Sequence, residues 1–286
     1  MIISPAWKGR KYAVLGLARS GRATVEALLA SGAEVTAWDS REDARAVFAG
    51  RVTLSDPVEA DLSGFAGVVV SPGVPLNTHP IKPHADKFGV PVIGDIELFA
   101  QAREHLPPHK VVGITGTNGK STTTALVHHI LKTAGVPTTM GGNIGLPILE
   151  QEPLPEGGVY VLELSSYQID LTYSLDCDVA VLLNITPDHL DRHGGMDGYQ
   201  AAKMRIFQNQ TEKDVAIIGF DDVITQSIAI GLSANGPARV VQASSTYALG
   251  RGVSAVDGRL YDSNSGQAQF VGNLSDCMAL PGRHNH

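Results

Sequence analysis

Few residues in this chain are of the kinds that mark secreted, zinc-knuckle or membrane proteins. Its 286 residues include only two cysteines, Cys177 and Cys277, which are too few and too far apart for a disulfide framework or a metal knuckle. No apolar run approaches the ~20 residues that span a bilayer, and Arg19 interrupts the short apolar stretch near the N-terminus. We therefore expect no disulfides, no signal peptide and no membrane insertion, and a cytoplasmic location.

Basic charge is also scarce. The 22 lysines and arginines are outnumbered by 29 acidic residues, for a net charge of −7, which argues against bulk nucleic-acid binding. Any phosphate would have to be recognised locally, by backbone N–H groups and a few cations. The 31 glycines, 16 prolines and 43% of hydrophobic residues fit an α/β protein with many tight turns, and the length favours two domains.

The most informative stretch is VVGITGTNGKS, which runs from Val111 to Ser121. A short apolar strand, a glycine turn and a helix over residues 122–134 predict a loop whose amides wrap nucleotide phosphates. In this role Lys120 reaches the outer phosphates and the Ser121 hydroxyl binds Mg²⁺. The predicted nucleotide-binding residues here are Gly116, Thr117, Asn118, Gly119, Lys120, Ser121 and Thr122.

This loop departs from the general pattern G-x-x-x-x-G-K-[ST], because Ile114 stands where the first glycine is expected. The alternative interpretation is a glycine-rich turn with a surface lysine. That interpretation explains the glycines but not a Lys-Ser pair at a helix start, where a cation is unfavourable unless an anion is bound there.

The N-terminal part repeats the strand, turn and helix arrangement. A strand over residues 12–15 leads into GLARSG and a helix over residues 22–30, and a second strand ends at Asp39. This predicts a Rossmann-like unit in which Asp39 bonds a sugar hydroxyl. Ala18 replaces the middle glycine, and its methyl group obstructs a pyrophosphate, so we favour a uridine-type ligand over NAD. Alternatively, the glycines serve only to pack helix against strand.

Two further features organise the chain. Ser71, Pro72 and Gly73 follow a predicted strand at its carboxyl end, the edge where open α/β sheets bind ligands. Residues 104–109, with two prolines, read as a linker. We therefore predict a Rossmann-like domain over residues 1–106 and a P-loop ATPase-type α/β domain with a mostly parallel sheet over residues 107–286.

Several polar residues in the second domain are candidates for chemistry. Glu163 ends a buried strand, where metal ligation or a salt bridge must offset the cost of burying a carboxylate. His189 could project toward the same edge or simply cap a turn, Lys203 on a mostly apolar helix could snorkel to solvent, and Asn143 and Gln168 could donate hydrogen bonds near the site. Solvated turn positions are expected for Asp188, Asp191 and His193.

The motifs GITGTNGKST, GGNIG, LELSSYQ, NITPDHLDRH, GYQAAKMRIF and LPGRHN occur in this order. With them the chain resembles the Mur ligases of peptidoglycan synthesis, a group that includes folylpolyglutamate synthase. GLARSG, WDS and SPGVP resemble the members that add D-glutamate. The resemblance implies three domains, of which we expect this chain to hold the uridine-binding and ATPase domains. We expect it to lack the C-terminal one that holds D-glutamate, and so to be a two-domain piece that is not active alone.

The resemblance also implies roles for particular residues and a reaction. ATP would phosphorylate UDP-N-acetylmuramoyl-L-alanine to an acyl phosphate, which D-glutamate attacks, in a protein expected to be a monomer. Two Mg²⁺ ions would be held by Ser121, Glu163, His189 and Lys203, the last as a carbamate. Asn285 would contact the nucleotide base. Around the substrate the resemblance implies Leu17, Asp39, Ser40, Ser71, Gly73, Asn143 and Gln168, and Ala18 and Pro72 lie within the same turns.

Other functions stay open on the sequence alone. Another Mur-type ligase or an enzyme like folylpolyglutamate synthase would share the central motifs. A nucleotide-dependent regulatory module would use the same phosphate loop without needing the buried carboxylate, the Asp-His turn and the helix lysine together. An NAD dehydrogenase would suit the first domain, but Ala18 and the ATP-type second domain count against it.

Overall fold

The computed structural model describes residues 1–276 of the chain. The role predicted for Asn285 and the motif LPGRHN lie outside these residues. Across residues 1–276, every helix is too short or too polar to cross a membrane.

The N-terminal part is built on one parallel sheet. Its strands are β1 (Lys11–Leu15), β2 (Glu34–Trp38), β3 (Thr53–Leu54), β4 (Phe65–Val70) and β5 (Val92–Ile93). Its helices are α1 (Arg19–Ala30), α2 (Glu42–Ala46), α3 (Ile81–Lys87) and α4 (Asp95–Ala102). The strand order β3-β2-β1-β4-β5, with every pair parallel, confirms the Rossmann-like prediction.

Helix α1 begins three residues earlier than its predicted start at residue 22. Ala18 has an extended backbone and precedes the helix, which therefore includes Gly21 in its first turn. A Cβ at Gly21 would lie 1.8 Å from the Gly16 carbonyl oxygen, so only glycine lets helix and loop approach this closely. The glycine spacing thus brings the helix N-terminus directly onto the end of β1.

The second part is built on a nine-stranded sheet. Its strands are β6 (His109–Thr115), β7 (Thr138–Gly142), β8 (Gly158–Glu163), β9 (Val179–Leu182), β10 (Val215–Gly219), β11 (Arg239–Ser244), β12 (Val253–Val256), β13 (Arg259–Asp262) and β14 (Gln269–Asn273). Its helices are α5 (Lys120–Thr133), α6 (Ser166–Asp170), α7 (Leu190–His193), α8 (Met196–Met204) and α9 (Val223–Asn235).

The order of this sheet is β14-β13-β12-β11-β10-β9-β6-β8-β7. Within the described residues, β13 pairs antiparallel with β12 and with β14, and all the other neighbouring strands of this sheet are parallel. The prediction of a mostly parallel sheet is therefore confirmed. All six residues of β8 are buried, as expected for a strand covered on both faces. Because β8 and β9 flank β6, the segments that follow these three strands meet at one edge of the sheet. The domain boundary at residue 106 stays a prediction.

A buried carboxylate joins the two parts of the chain. Glu97 on α4 is 4% exposed and accepts hydrogen bonds from the Tyr173 amide (2.6 Å), the Ser174 amide (2.9 Å) and the Ser174 hydroxyl (2.7 Å). Gln101 adds a fourth donor at 3.2 Å. With several donors on one carboxylate, this contact fixes α4 against the segment that follows α6.

We predict that Glu97→Ala lowers the free energy of unfolding by about 2–4 kcal/mol, because buried donors lose their charged acceptor. Urea denaturation followed by circular dichroism measures the change. The control is Glu104→Ala, since the Glu104 side chain is 73% exposed and its removal should have little effect. Equal losses in the two variants would contradict the prediction.

Candidate functional site

The glycine loop lies between β6 and α5. Gly119 is left-handed (φ +84°) and directly precedes the helix, and Gly116 has φ +152°. The first amides of a helix have no intrahelical acceptor, so this turn presents backbone N–H groups to an anion. Ile114 is a buried residue of β6. The chain therefore turns at Gly116, and the missing glycine at position 114 does not disturb the loop.

Asn184, which the sequence analysis missed, holds this loop in place. Its backbone oxygen accepts from the Thr117 amide (3.0 Å), and its side-chain oxygen accepts from the Asn118 amide (2.9 Å). Its side-chain amide donates back to the Asn118 carbonyl at 3.1 Å. The signal that could have found it is the polar NIT sequence placed two residues after β9 ends.

Lys120 lies over the loop that it follows. Its Nζ donates to the carbonyl oxygens of Gly116 (3.0 Å) and Thr117 (2.8 Å). A cation in the first turn of a helix opposes the helix dipole. The position favours binding an anion, because negative charge in the loop would offset both the lysine and the helix terminus.

Glu163, at the end of β8, is only 2% exposed. Its Oε2 accepts from the Ser121 hydroxyl at 2.7 Å, and its Oε1 accepts from the Asn143 side-chain amide at 2.8 Å. The Asn143 backbone amide also donates to the Glu163 carbonyl oxygen, at 2.9 Å. Within residues 1–276 the hydrogen-bond partners of this carboxylate are the neutral side chains of Ser121 and Asn143, and no lysine or arginine forms a salt bridge with it. The arrangement is a buried carboxylate beside a hydroxyl, both oxygen donors of the kind that Mg²⁺ binds.

Lys203 does not snorkel to solvent, so that expectation is wrong. The residue is 1% exposed, and its Nζ donates to the Gly116 carbonyl at 2.8 Å and lies 4.6 Å from the centre of the Tyr199 ring. Helix α8 packs this side chain onto the phosphate loop. Burial and, secondarily, the nearby charge of Lys120 lower the pKa of Lys203 to about 7, against a small opposing effect of Asp188.

The Asp-His turn, which contains Asp188 and His189, lies beside the glycine loop and Lys203. His189 is left-handed (φ 51°) just before α7, its side chain is about half exposed, and its Nε2 lies 3.4 Å from the Asp188 carboxylate. The Asp188 charge acts on Lys203, and the nearby Thr186 accepts a hydrogen bond from the Thr117 hydroxyl (3.1 Å). The lysine-bearing loop, the acidic strand end and the Asp-His turn therefore meet at one edge of the sheet.

His193 was predicted to be a solvated turn residue, and this is wrong. Its side chain is 4% exposed and lies between the Ser166 hydroxyl (2.9 Å from Nε2) and the Asp170 carboxylate (3.4 Å from Nδ1). Burial lowers the pKa of this imidazole, against the opposing charge of Asp170. The sequence did not reveal this, because the partners of His193 come from α6, which is distant in the chain.

Gln168 has a local structural role. It is 3% exposed and forms a capping box with Ser165 at the start of α6: the Ser165 hydroxyl accepts from the Gln168 amide, and the Gln168 side-chain oxygen accepts from the Ser165 amide. Substrate contact by Gln168 stays a prediction.

The candidate uridine site lies at the carboxyl end of the first sheet. Gly16 is left-handed (φ +90°), and its carbonyl accepts from the Ser71 hydroxyl at 2.9 Å. Asp39 accepts from the amides of Leu17 (2.7 Å) and Arg41 (3.0 Å). Burial raises the pKa of Asp39, but these hydrogen bonds and the Arg41 charge outweigh burial, and the net pKa is lowered.

Asp39 therefore holds the GLARSG turn against the end of β2. Both of its oxygens already accept hydrogen bonds from this chain, and a bond to a sugar hydroxyl stays a prediction. Leu17 is fully buried, its amide donates to Asp39 and its carbonyl accepts from the Arg22 side chain, so a ligand contact by Leu17 stays a prediction. The adjoining turns contain Ala18, Ser40, Pro72 and Gly73.

The carboxyl-end edges of the two sheets, where the two candidate sites lie, contact each other directly; we call them the two ligand edges. Arg192 Nη2 donates to the Val74 carbonyl at 2.7 Å, and Arg19 Nη2 donates to the Gly145 carbonyl at 2.9 Å. Val74 follows β4 and Arg192 follows β9, so loops at the carboxyl ends of both sheets contact each other. A ligand at one edge could thus reach a ligand at the other.

A metal ion would find few charged ligands here. Across residues 1–276, no group of three or more His, Cys, Asp or Glu side chains is arranged to hold a metal. Ser121 and Glu163 contribute oxygen donors that suit Mg²⁺. The His189 imidazole suits it less well, and a lysine binds a cation only after chemical modification.

The parallel sheet, the Lys-Ser glycine loop and the buried strand-end carboxylate define a P-loop nucleotide-binding protein of the α/β class. The Mur ligase middle domain matches residues 114–286. The chain therefore belongs to the Mur ligase family.

Several relatives are named UDP-N-acetylmuramoylalanine--D-glutamate ligase. That of Novosphingobium aromaticivorans is 65% identical over 250 residues, which cover 86% of this chain and 56% of the relative. That of Sphingopyxis alaskensis is 69% identical over 230 residues, which cover 80% of this chain and 53% of the relative. That of Phenylobacterium zucineum is 51% identical over 294 residues, which cover 100% of this chain and 62% of the relative. The chain thus spans about half the length of the curated relatives it matches.

A solved structure has the same fold at low sequence identity. The UDP-N-acetylmuramate:L-alanyl-gamma-D-glutamyl-meso-diaminopimelate ligase from Neisseria meningitides is 16% identical, with a TM-score of 0.60 over 97% of this chain and 90% of that chain.

We predict that Lys203 makes stability depend on pH. Because its folded pKa is about 7 and an unfolded lysine titrates near 10.4, the unfolded state binds more protons between these values. The free energy of unfolding should therefore rise with pH from about 7 to 10, by up to about 1.4 kcal/mol per unit. Urea denaturation at pH 7 and pH 9 measures the rise.

Lys203→Met should reduce this rise, because methionine does not titrate. The control is Lys110→Met, since Lys110 is exposed on β6. A rise of the same size in wild type and in Lys203→Met would show that Lys203 is not its source.

Proposed function

We propose that this chain forms the nucleotide-sugar-binding and ATP-binding parts of a ligase. The ligase would use ATP to join D-glutamate to UDP-N-acetylmuramoyl-L-alanine in the cytoplasm, for peptidoglycan synthesis. The observation that carries the proposal is the meeting of Ser121, Glu163 and Lys203 at the phosphate loop. The names of the relatives with 65% and 69% identity support the choice of substrates.

In this proposal the loop binds the triphosphate of ATP. The amides of residues 119–122 would donate to phosphate oxygens, as helix N-termini do, while Asn184 keeps the amides of Thr117 and Asn118 and so holds the loop in shape. The Lys120 ammonium, now on the carbonyls of Gly116 and Thr117, would exchange these neutral acceptors for charged phosphate oxygens, a stronger hydrogen bond. Asn285 is proposed to contact the base.

The oxygen donors around Glu163 would hold Mg²⁺. Ser121 and Glu163 are proposed as ligands of one ion, and His189 with a modified Lys203 as ligands of a second. When bound, Mg²⁺ offsets the charge repulsion between a carboxylate and a triphosphate. The Asn143 amide would keep Glu163 oriented through its bond to Oε1.

Lys203 is proposed to carry a carbamate. The neutral amine attacks the carbon of CO₂, a C–N bond forms and a proton leaves the nitrogen. With a pKa of about 7, the amine would be largely neutral just above neutral pH. The product is an anion with two oxygen atoms, which suits a hard cation, and Lys120 nearby would partly offset its charge.

The reaction then follows from positioning. The L-alanyl carboxylate attacks the γ-phosphate, ADP leaves, and an acyl phosphate forms. The amine of D-glutamate attacks the acyl carbon and phosphate leaves. Lys120 would stabilise charge on the transferred phosphoryl group, so the contribution of this chain is orientation and electrostatics.

The nucleotide sugar would lie along the first sheet and reach across the contact between the two ligand edges. The residues proposed to line the uridine-diphosphate site are Leu17, Ala18, Asp39, Ser40, Ser71, Pro72 and Gly73. Asn143 and Gln168 would lie around the acyl end. We propose that D-glutamate is bound by further residues of the longer protein, that the protein is a monomer, and that nucleic acid is not a partner.

We predict that the 286-residue chain binds Mg²⁺·ATP and that Lys120→Met weakens binding about 10- to 100-fold, because a charged hydrogen bond to phosphate is lost. Isothermal titration calorimetry measures the affinity. Lys110→Met removes an exposed lysine from the same strand-loop unit and should bind ATP as wild type does. Equal affinities in all three proteins would contradict a phosphate-binding role for Lys120.

We also predict that the chain binds UDP-N-acetylmuramoyl-L-alanine more tightly than UDP, because the ligand would contact both ligand edges. Competition calorimetry compares the two ligands. A nucleotide-dependent regulator would show no such preference. With ATP and D-glutamate added, we expect no ligation product by mass spectrometry, and robust product formation would show that no further domain is needed.

A further inference from the structure

Ser166, His193 and Asp170 form a line of polar side chains in contact beside the site. The Ser166 hydroxyl lies 2.9 Å from His193 Nε2, and the Asp170 carboxylate lies 3.4 Å from Nδ1. A carboxylate at Nδ1 makes that nitrogen the donor, so Nε2 accepts from the serine hydroxyl. These are the residue types of a serine-hydrolase triad.

Burial argues against a nucleophilic role for this serine. Ser166 is 2% exposed, and the His193 side chain is 4% exposed. Nucleophilic attack needs space for a substrate carbonyl about 3 Å from the hydroxyl, and these side chains occupy the interior between α6 and α7. The line of contacts therefore holds two segments together.

The segments it joins are those that bear two of the proposed metal ligands. Ser166 lies three residues after Glu163, and His193 lies four residues after His189. The amides of Arg192 (3.1 Å) and His193 (3.3 Å) both donate to the His189 carbonyl, so α7 is rigidly continuous with the Asp-His turn. A contact between Ser166 and His193 thus fixes the end of β8 relative to that turn.

Aromatic rings complete the contact. The His193 ring stacks on Tyr167 (centroids 5.6 Å apart) and packs on Tyr199 (5.4 Å). Tyr167 in turn lies 5.0 Å from the His189 ring, and the Tyr199 hydroxyl lies 3.2 Å from the Thr117 hydroxyl. His189 has a left-handed backbone, which a residue with a Cβ adopts only when its surroundings hold it there. His193 packs against Tyr167, the ring that lies against His189.

We propose that His193 is a positioning residue, which through Ser166 and Asp170 fixes the His189 turn relative to Glu163. The effect of His193 on metal affinity rests on the proposed function. The effect of His193 on the conformation of the His189 turn does not. Positioning groups of this kind typically change metal affinity by about 10- to 100-fold when they are removed.

The test uses His193→Phe, which keeps ring stacking but removes the hydrogen bond to Ser166 and the contact with Asp170, and His193→Gln, whose amide can still accept from Ser166. His129→Phe is the matched control, because His129 is exposed on α5. Hydrogen exchange at residue 186 and residues 188–193 reports on the turn without any ligand, since Pro187 has no N–H. Electron paramagnetic resonance reports Mn²⁺ binding in the presence of a non-hydrolysable ATP analogue.

We expect His193→Phe to speed exchange at residues 186–193 about tenfold, while the amides of β6 and β8 stay protected. Mn²⁺ affinity should fall about tenfold, with nucleotide affinity in the absence of metal unchanged. His193→Gln should recover part of both losses, and the control should match wild type.

Unchanged exchange in the turn, or a loss of protection shared equally by β6 and β8 in both His193 variants, overturns the proposal. Faster exchange in the turn with unaltered Mn²⁺ affinity overturns it as well. If wild type binds no Mn²⁺ with the analogue but the turn still loosens in His193→Phe, the proposed function fails and the positioning role stands.

Discussion

The buried carboxylate of Glu163 is the constraint around which the site is arranged. A carboxyl group with 2% exposure needs hydrogen-bond partners or a cation, because leaving it unpaired in the interior is costly. Ser121 and Asn143 supply neutral donors. Strands β6 and β7 flank β8 in the sheet, and Ser121 and Asn143 lie in the segments that follow them. Satisfying one carboxylate therefore fixes the phosphate loop and the GGNIG turn relative to each other.

The site has two cations as well as this anion. Lys120 and Lys203 both donate to the Gly116 carbonyl, so two lysines share one loop. Burial and, secondarily, the charge of Lys120 lower the pKa of Lys203 to about 7. A lysine beside the N–H groups of a helix N-terminus is well suited to a triphosphate.

Contacts between the two parts of the chain bring a second ligand edge close to the first. Glu97 fixes α4 against the segment after α6, and Arg192 reaches from the Asp-His turn to the loop after β4. Because these contacts use backbone groups as partners, they constrain where the chain runs more than which side chains it has. The arrangement supports a ligand that extends from one sheet to the other.

The sequence by itself determined the fold class, the phosphate loop and the candidate uridine turns, because each depends on local patterns: a buried strand, glycines and a following helix. Only the tertiary structure decided the states of Lys203 and His193, which local patterns assigned to solvent. Their burial depends on partners that are distant in the chain, Gly116 for the lysine and Ser166 with Asp170 for the histidine. Which side chains end up enclosed together is set by strand order and helix packing, which no local pattern specifies.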